Sequence, residues 1–178
     1  MTKEMTKLGE AIAQAQIHAN IDSIDITDWL FNLSSEDYAA CAEGHQSAAQ
    51  GVLPSGKRIS LNVEFVAGFF MVQHYIEKVS DKDSVLAVSP NSILWLDDER
   101  FVLLQISWEL KLEKIDEGSC MLTCKVTSET DNEMFIKASH ELSKGLDPAD
   151  RPFQLHINEE TPRFAKDIER KALAGLWN

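Results

Sequence analysis

The fold is decided between residues 102 and 126, which read VLLQISWELKLEKIDEGSCMLTCKV. From Val102 to Leu112 an apolar residue occupies every second position, and the alternation resumes from Cys120 to Val126. Side chains of a β-strand point alternately to its two faces, so this period of two predicts a pair of half-buried strands. Asp116-Glu117-Gly118 is typical of a turn. The stretch therefore predicts an antiparallel hairpin with one covered and one solvated face.

Alternation of the same kind continues toward the N-terminus. Residues 58–65 predict a strand with Ile59 and Phe65 among its core-facing residues and with Asn62 and Glu64 in solvent. Short turns separate this strand from its neighbours, so the sheet is predicted to be an antiparallel meander. The remaining strands of the meander are predicted at His45–Leu53, Phe69–Val79 and Ser84–Leu96.

Helical spacing predicts the elements before the sheet. The segment from Leu8 to Ala19 places apolar residues three and four positions apart, which predicts a helix. Residues 1–20 are accordingly interpreted as a helical extension before a single domain of residues 21–178. That domain should open with a short strand, Ile21–Ile26, and with two short helices on either side of Ser34.

Two more helices are expected after the sheet. Thr130 begins a capping-box pattern, so a short helix should follow and end at Gly145. Residues 146–155 contain two prolines and predict a loop. Thr161-Pro162 is typical of a helix start, and an apolar stripe runs from there to Trp177. A long amphipathic helix on the apolar face of a curved sheet leaves a concavity, which predicts an apolar pocket.

The composition favours an ordinary globular protein and excludes several classes of partner. The chain has 178 residues, 44% of them hydrophobic, and a formal net charge of −12. This acidity argues against nucleic acid and against an anionic membrane surface, since both require clustered Lys and Arg. The longest apolar run, Phe65–Val72, is too short to span a membrane. Because no signal-type segment begins the chain, a reducing, cytoplasmic setting is expected for the cysteines, which are Cys41, Cys120 and Cys124.

The order of elements resembles that of the START-like, or SRPBCC, superfamily, the helix-grip fold shared with the birch-pollen allergens. Residues 24–33, IDITDWLFNL, resemble its opening strand and Trp-containing first helix, and residues 158–165, NEETPRFA, resemble the start of its long helix. The resemblance covers about residues 21–128 and 158–177.

This resemblance implies an α+β fold, in which a curved antiparallel sheet of about six to seven strands wraps around a long C-terminal helix. The extra N-terminal helix and the short helix before the last one are additions to that layout. The resemblance also implies a cavity for a hydrophobic molecule. A nuclear-transport-factor-2-like cone is the alternative fold, and it places its helices mainly at the N-terminus.

Six residues are candidates for the wall of the cavity. His74 lies between Val72 and Ile76 on a predicted strand, so it is expected to point into the concavity, where it could orient a ligand or act as a general base. For each candidate, a place in the ordinary core is the competing interpretation. The predicted ligand-binding residues are His74, Tyr75, Trp95, Trp108, Phe164 and Ile168.

No metal site and no cofactor is predicted, and no catalytic residue is assigned. His140, His156 and Glu159 could meet in a fold, but the sequence contains no His-x-x-x-His or Cys-x-x-Cys pair. It also contains no Gly-x-Ser-x-Gly elbow and no Gly-rich phosphate loop. Glu159 and Glu160 precede the last predicted helix, where carboxylates stabilise the helix dipole.

The sequence leaves three functions open, each compatible with a homodimer. The first is a binding protein that holds a hydrophobic or amphipathic small molecule between the sheet and the C-terminal helix. The second is an enzyme of the cyclase, dehydratase or hydrolase type that uses the same cavity. It requires a convergent polar pair, and the only candidate is His74 with Gln73 or Tyr75, which point to the other strand face. The third is a non-catalytic interaction protein whose acidic surface meets a basic partner.

Overall fold

The sheet is the organising element of the computed structural model, which describes residues 4–177. Its seven strands are antiparallel and lie in the order β1-β7-β6-β5-β4-β3-β2. Strands β2 to β7 are therefore a meander, as predicted, and β1 returns to pair with β7. In chain order, β1 to β7 are Thr6–Ile17, His45–Val52, Arg58–Val66, Phe69–Ser80, Ser84–Trp95, Phe101–Asp116 and Ser119–Thr130.

The N-terminal helix predicted over Leu8–Ala19 is wrong, because this segment is strand β1. Its residues pair with β7 from Thr6 opposite Thr130 to Ile17 opposite Cys120. The alanines fit both periods: spacing of three and four suits a helix, whereas alternation from Ala11 to Ile17 suits a strand whose buried residues face the core. The open edge of β7 supplies hydrogen bonds that favour the strand. Residues 6–17 therefore belong to the sheet and are no helical extension.

Two short helices precede the meander, as predicted. Helix α1 is Ile26–Phe31, and Asp25 caps it by accepting a hydrogen bond from the Asp28 amide at 2.8 Å. Helix α2 is Ser35–Ala40, and Ser34 accepts from the Asp37 amide at 3.0 Å. The short strand predicted over Ile21–Ile26 is wrong. A 3-10 turn, Ile21–Ser23, occupies its first half, and Ile24 and Ile26 are core residues.

Two helices follow the meander. Helix α3 is Glu133–Ser143, and it is capped by Asn132 because the Thr130 hydroxyl donates to the Leu103 carbonyl within the sheet instead. A second 3-10 turn spans Pro148–Asp150. Helix α4 is Pro152–Leu173, so it begins ten residues before the predicted start at Pro162, which lies inside it. Among the described residues, none of the helices combines the length and apolar character that a bilayer crossing requires.

Helix α4 lies between the two edges of the sheet. On the β1 side, the Gln154 side chain donates to the Ile12 carbonyl at 2.8 Å and accepts from the Ile12 amide. Further along, Glu169 accepts from the His18 amide at 2.7 Å. The buried stripe of α4 includes Phe164 and Ile168, as the sequence predicts. On the side opposite β1, the N-terminal half of α4 contacts β2 and β3.

The inward polarity of the sheet differs between strands. In β6 every second residue from Val102 to Leu112 is buried, as predicted. In β3 the prediction is reversed, because Asn62 and Glu64 are 2% and 6% exposed, whereas Leu61 and Phe65 are 39% and 45% exposed. Strand β4 also turns polar residues inward, since Gln73 and Tyr75 are buried together with Met71. Alternation gives the period of a strand, while the available partners decide which face is buried.

Candidate functional site

Two adjoining spaces lie between the sheet and the helices that follow it. The larger, termed the outer cavity, has a volume of about 450 Å³ and lies beneath α3 and the start of α4. The smaller, termed the inner pocket, has a volume of about 30 Å³. They share a wall formed by Val66, Met71, Ile106 and Phe153. The two spaces are therefore neighbours on the inner side of the sheet.

The outer cavity is predominantly apolar. Phe69, Leu94 and Leu104 form its floor on the sheet. Helix α3 covers it with one face, which carries Phe135 and Leu142 among its lining residues. No residue of α3 is fully buried, and Leu142 is 71% exposed. A helix held by so little burial is suited to act as a lid.

Four side chains next to the inner pocket form a group, termed the His–Glu cluster: His45, Glu64, His156 and Glu160. All of them except His45 line the pocket. His45 and Glu64 are cross-strand partners in the β2–β3 ladder. His156 and Glu160 are four residues apart on α4, so they lie on the same side of the helix. Helix α4 therefore brings one pair against the other.

The four side chains form a closed ring of contacts. His45 Nε2 lies 3.2 Å from Glu64 Oε2 and 3.0 Å from Glu160 Oε2. His156 Nε2 lies 3.2 Å from Glu64 Oε2 and 3.5 Å from Glu160 Oε2. The same four atoms, two nitrogens and two oxygens, make every one of these contacts.

A close backbone approach fixes the position of His45. The Phe65 amide donates to the Gly44 carbonyl at 2.8 Å. A Cβ atom on Gly44 would meet the Phe65 carbonyl oxygen at 2.2 Å, so only glycine fits there. The next residue, His45, is thereby held at the start of β2.

Further polar residues orient the cluster. The Tyr38 carbonyl lies 2.8 Å from His45 Nδ1, and the Tyr38 ring stacks on the imidazole with centroids 3.9 Å apart. The Tyr38 hydroxyl donates to Glu64 Oε2 at 3.1 Å, and the Gln73 amide donates to Glu64 Oε1. These bonds explain why β3 and β4 turn polar residues inward, since each buried carboxylate oxygen finds donors there.

The paired charges outweigh the effect of burial on the cluster. Burial alone would raise the pKa of Glu64, whereas hydrogen bonds from His156 and His45 bring it well below its ordinary value. Burial alone would lower the pKa of His45, whereas its bonds to Glu160 and Glu64 raise it to about 10. The pKa of His156 is likewise raised, against the effect of burial, by Glu64 and Glu160.

Of the six predicted site residues, four lie on the inner side of the sheet and two on its outer face. Tyr75 and Trp108 line the inner pocket. Phe164 and Ile168 lie buried in the core, where Phe164 packs against Trp108 with ring centroids 5.6 Å apart. The expected inward orientation of His74 is wrong, since the inward residues of β4 are its neighbours Gln73 and Tyr75. Trp95 also lies on the outer face, against the exposed ring of Phe101.

The sequence pattern did not identify three members of the cluster: His45, Glu64 and Glu160. The sequence analysis groups His156 with His140 and Glu159, whereas in the structure the partners of His156 are Glu64 and Glu160. Glu159 instead accepts from the Glu43 amide at 2.9 Å. The four-residue spacing of His156 and Glu160 is a usable signal only where both lie on one helix, as they do in α4. The sequence instead predicts a loop over residues 146–155 and a helix that begins at Thr161-Pro162, after His156.

The three cysteines are free and buried. Burial raises the pKa of the Cys41 thiol to about 12 and that of Cys120 to about 11. Burial also raises the pKa of Cys124 well above its ordinary value. Because the thiolate is the reactive form, none of them is an activated nucleophile at neutral pH.

Comparison with known proteins gives a fold. No sequence-family profile and no curated protein matches the chain. The Zhui aromatase/cyclase from Streptomyces sp. R1128 superposes with a TM-score of 0.62 at 10% identity, covering 94% of this chain and 96% of that one. The protein TTHA0849 from Thermus thermophilus superposes with a TM-score of 0.60 at 15% identity, covering 93% and 98%. The chain has the helix-grip fold of the START-like superfamily.

The START-like fold also matches Ara h 8.0201, with a TM-score of 0.53 at 13% identity and coverage of 93% of this chain and 98% of that one. In all of these comparisons nearly the whole chain takes part. The long helix follows the last strand. The alternative cone fold, whose helices lie mainly at the N-terminus, is therefore wrong.

Proposed function

We propose that the protein binds an amphipathic small molecule, with its apolar body in the outer cavity and its polar end at the inner pocket. The outer cavity carries this proposal. Its volume of about 450 Å³ lies within the range of small-molecule sites, and its walls are mostly apolar. A hydrophobic molecule would therefore gain free energy by leaving water for this space.

The polar end of the ligand is constrained by the inner pocket. Among the described residues, two buried polar atoms that line it have no hydrogen-bond partner: Gln73 Oε1, an acceptor, and Trp108 Nε1, a donor. A buried polar group without a partner costs free energy, so a ligand that satisfies both atoms would be favoured. A hydroxyl group both donates and accepts. We expect a neutral ligand whose polar end carries a hydroxyl.

The binding proposal is tested with the fluorescent probe 1-anilinonaphthalene-8-sulfonate and with a matched pair of variants in β6. Leu104 faces the outer cavity, whereas its neighbour Leu103 is 46% exposed on the other face. Leu104→Trp fills part of the cavity and is expected to weaken probe binding about tenfold or more, about 1.4 kcal/mol. Leu103→Trp should bind the probe within about twofold of the wild type.

Two results would contradict the binding proposal. One is a wild-type protein that does not enhance the fluorescence of the probe, and the other is equal probe affinity of the two variants. Native mass spectrometry of the purified wild type gives an independent measurement, because a copurified ligand appears as a discrete added mass. The same spectrum reports whether the protein is a homodimer.

A second candidate function, an enzyme of the cyclase, dehydratase or hydrolase type, is favoured by one observation. The convergent polar pair that such an enzyme requires is present in Glu64 and His156, 3.2 Å apart at the inner pocket. A histidine beside a carboxylate is suited to move a proton to or from a ligand. Incubation with a cell extract should then convert one compound to a product with the wild type but not with His156→Gln, and no conversion by the wild type would reject this candidate.

A further inference from the structure

We propose that the His–Glu cluster binds one divalent transition-metal ion of the Zn²⁺ class, which links helix α4 to strands β2 and β3. This inference goes beyond the proposed function, because it concerns the four side chains of the cluster and not the occupant of the outer cavity. Its basis is the geometry of the donor atoms, their orientation by neighbouring groups, and their charge.

Four of the six distances between the donor atoms match the edges of a tetrahedral metal site. Zn²⁺ binds His nitrogens and carboxylate oxygens at about 2.0–2.1 Å, so the edges of an ideal tetrahedron of such ligands are about 3.3–3.4 Å long. The contacts between His and Glu atoms in the cluster are 3.0, 3.2, 3.2 and 3.5 Å. All four donor atoms lie within 4.8 Å of one another. A single ion at their centre would contact all of them with little rearrangement.

Hydrogen bonds alone satisfy this ring less well. Each histidine Nε2 faces two carboxylate oxygens at similar distances, 3.2 and 3.0 Å for His45 and 3.2 and 3.5 Å for His156. A protonated Nε2 carries one hydrogen, which points well at one acceptor only. A central cation is attracted by every oxygen and accepts a lone pair from each nitrogen.

The surroundings orient the first two ligands as a metal site requires. His45 Nδ1 bonds the Tyr38 carbonyl, so its N–H is used there and Nε2 is the nitrogen available to a metal. Glu64 Oε1 accepts from Gln73, which leaves Oε2 directed to the centre of the cluster. Metal-binding histidines and carboxylates are commonly held by outer partners of this kind.

Charge favours a divalent ion. A bound ion displaces the protons of the two imidazoles, and the two carboxylates with two neutral imidazoles then carry a charge of about −2, which one divalent cation neutralises. Among the described residues that line the inner pocket, none is Lys or Arg. The donor set of two imidazoles and two carboxylates suits Zn²⁺ or Co²⁺, whereas Mg²⁺ and Ca²⁺ prefer six or more oxygen ligands.

Metal binding is measured on the full chain after removal of metals with a chelator. Co²⁺ titration should produce the visible absorption bands of four-coordinate cobalt and saturate near one ion per chain, and Zn²⁺ should displace it. Zn²⁺ should also raise the melting temperature, whereas Mg²⁺ at the same concentration should not. Loss of a ligand in Glu160→Gln or in His156→Gln should weaken Zn²⁺ binding about 100-fold or more.

Matched controls come from neighbouring residues outside the cluster. Glu159→Gln and His140→Gln should bind Zn²⁺ like the wild type, and circular dichroism shows whether each metal-free variant is folded. If one ligand variant fails to fold, the other carries the comparison. The proposal is overturned if the metal-free wild type binds neither Co²⁺ nor Zn²⁺, or if the control variants lose binding as much as the ligand variants do.

Discussion

Strands β6 and β7 on one side of the sheet, and β3 and β4 on the other, carry opposite polarity patterns. In the first pair the buried face is apolar, and Leu110 and Leu122 are fully buried. In the second pair Glu64 and Gln73 are buried, while Phe65 is exposed on the outer face. We refer to the two pairs as the apolar half and the inverted half.

The difference separates what stabilises the fold from what gives the site its chemistry. The apolar half supplies burial, at about 25 cal/mol for each Å² removed from water. The inverted half places the Glu64 carboxylate and the Gln73 amide at the inner pocket, and groups from α2, β2 and α4 bond the carboxylate. Substituting one inward and one outward residue in each half therefore distinguishes the two roles.

The largest effect is expected in the apolar half. Leu110→Ala should reduce the free energy of unfolding by about 2–5 kcal/mol, because it removes buried apolar atoms and leaves a cavity. Leu110 is 0% exposed, and its neighbour Glu109 faces solvent. Urea unfolding gives the measurement, with Glu109→Ala as the control, which should stay within about 0.5 kcal/mol of the wild type. Equal effects of the two variants would contradict the assignment of faces in β6.

In the inverted half, a change at a charged residue is expected to cost more stability than a change at its apolar neighbour. Glu64→Gln should reduce the free energy of unfolding by about 2 kcal/mol, because the new amide meets donors from Tyr38 and Gln73 with an N–H group of its own. Phe65→Ser should cost about 1 kcal/mol or less, since Phe65 is 45% exposed and packs on Phe70.

Both of these variants are measured in urea with a chelator present, so that the metal-free proteins are compared. The alternation of β3, interpreted from sequence alone, predicts that Phe65→Ser is the more harmful change. A larger effect of Phe65→Ser than of Glu64→Gln would therefore support the sequence interpretation and contradict the observed orientation of the strand.

A second carboxylate of the inverted half, Glu77, tests the influence of solvent. Its hydrogen bond with the Arg58 guanidinium, 2.7 Å at the closest, lowers the pKa of Glu77 from 4.5 to about 2. Because the pKa is lower in the folded state, the ion pair stabilises the fold above about pH 4.5, and this stabilisation is lost as the pH falls toward 2. The Arg58 side chain is 33% exposed, so screening by solvent reduces the expected contribution to about 1 kcal/mol.

The measurement is the difference in unfolding free energy between wild type and Glu77→Gln at pH 6 and at pH 3. Other acidic groups titrate equally in both proteins, so their contributions cancel in the difference. We expect the wild type to be more stable at pH 6 and the difference to shrink at pH 3. A difference that is independent of pH would show that the ion pair of Glu77 with Arg58 does not stabilise the fold.

Most of the fold could be predicted from the sequence, because the strands of the meander alternate clearly and their turns are short. Strand β1 could not, since its alanines satisfy both periods and only the edge of β7 decides between them. The start of α4 was missed because Pro162 is typical of a first helical turn and yet lies within the helix. In both places a tertiary contact outweighs a local preference.

The candidate site was much less predictable. The pairing of His45 with Glu64 depends on the register of β2 against β3, which shifts between His45 and Ser47. The contact of His156 with Glu64 joins residues 92 positions apart. No local spacing encodes either contact, and the assignment of Glu64 to solvent followed from the ordinary rule that strands bury their apolar face.

The smallest expected effect lies in the turn that joins the two strands of the inverted half. Ala67 has a φ of 55°, in the left-handed region, and Gly68 follows with a φ of 82°. Such a two-residue turn requires positive φ at both positions, which costs a side chain about 1 kcal/mol. Ala67→Gly removes that cost but adds freedom to the unfolded chain, so we expect a net gain in stability of about 0.5 kcal/mol.

Thermal or urea unfolding measures this gain, and Gly68→Ala is the matched control, expected to lose about 1 kcal/mol because it adds a side chain at positive φ. The pair isolates the turn from the packing of the two strands, since in the structure a Cβ on Gly68 would meet no atom within 4 Å. If Ala67→Gly lowers the stability instead, the added freedom of the unfolded chain outweighs the relief of a side chain at positive φ.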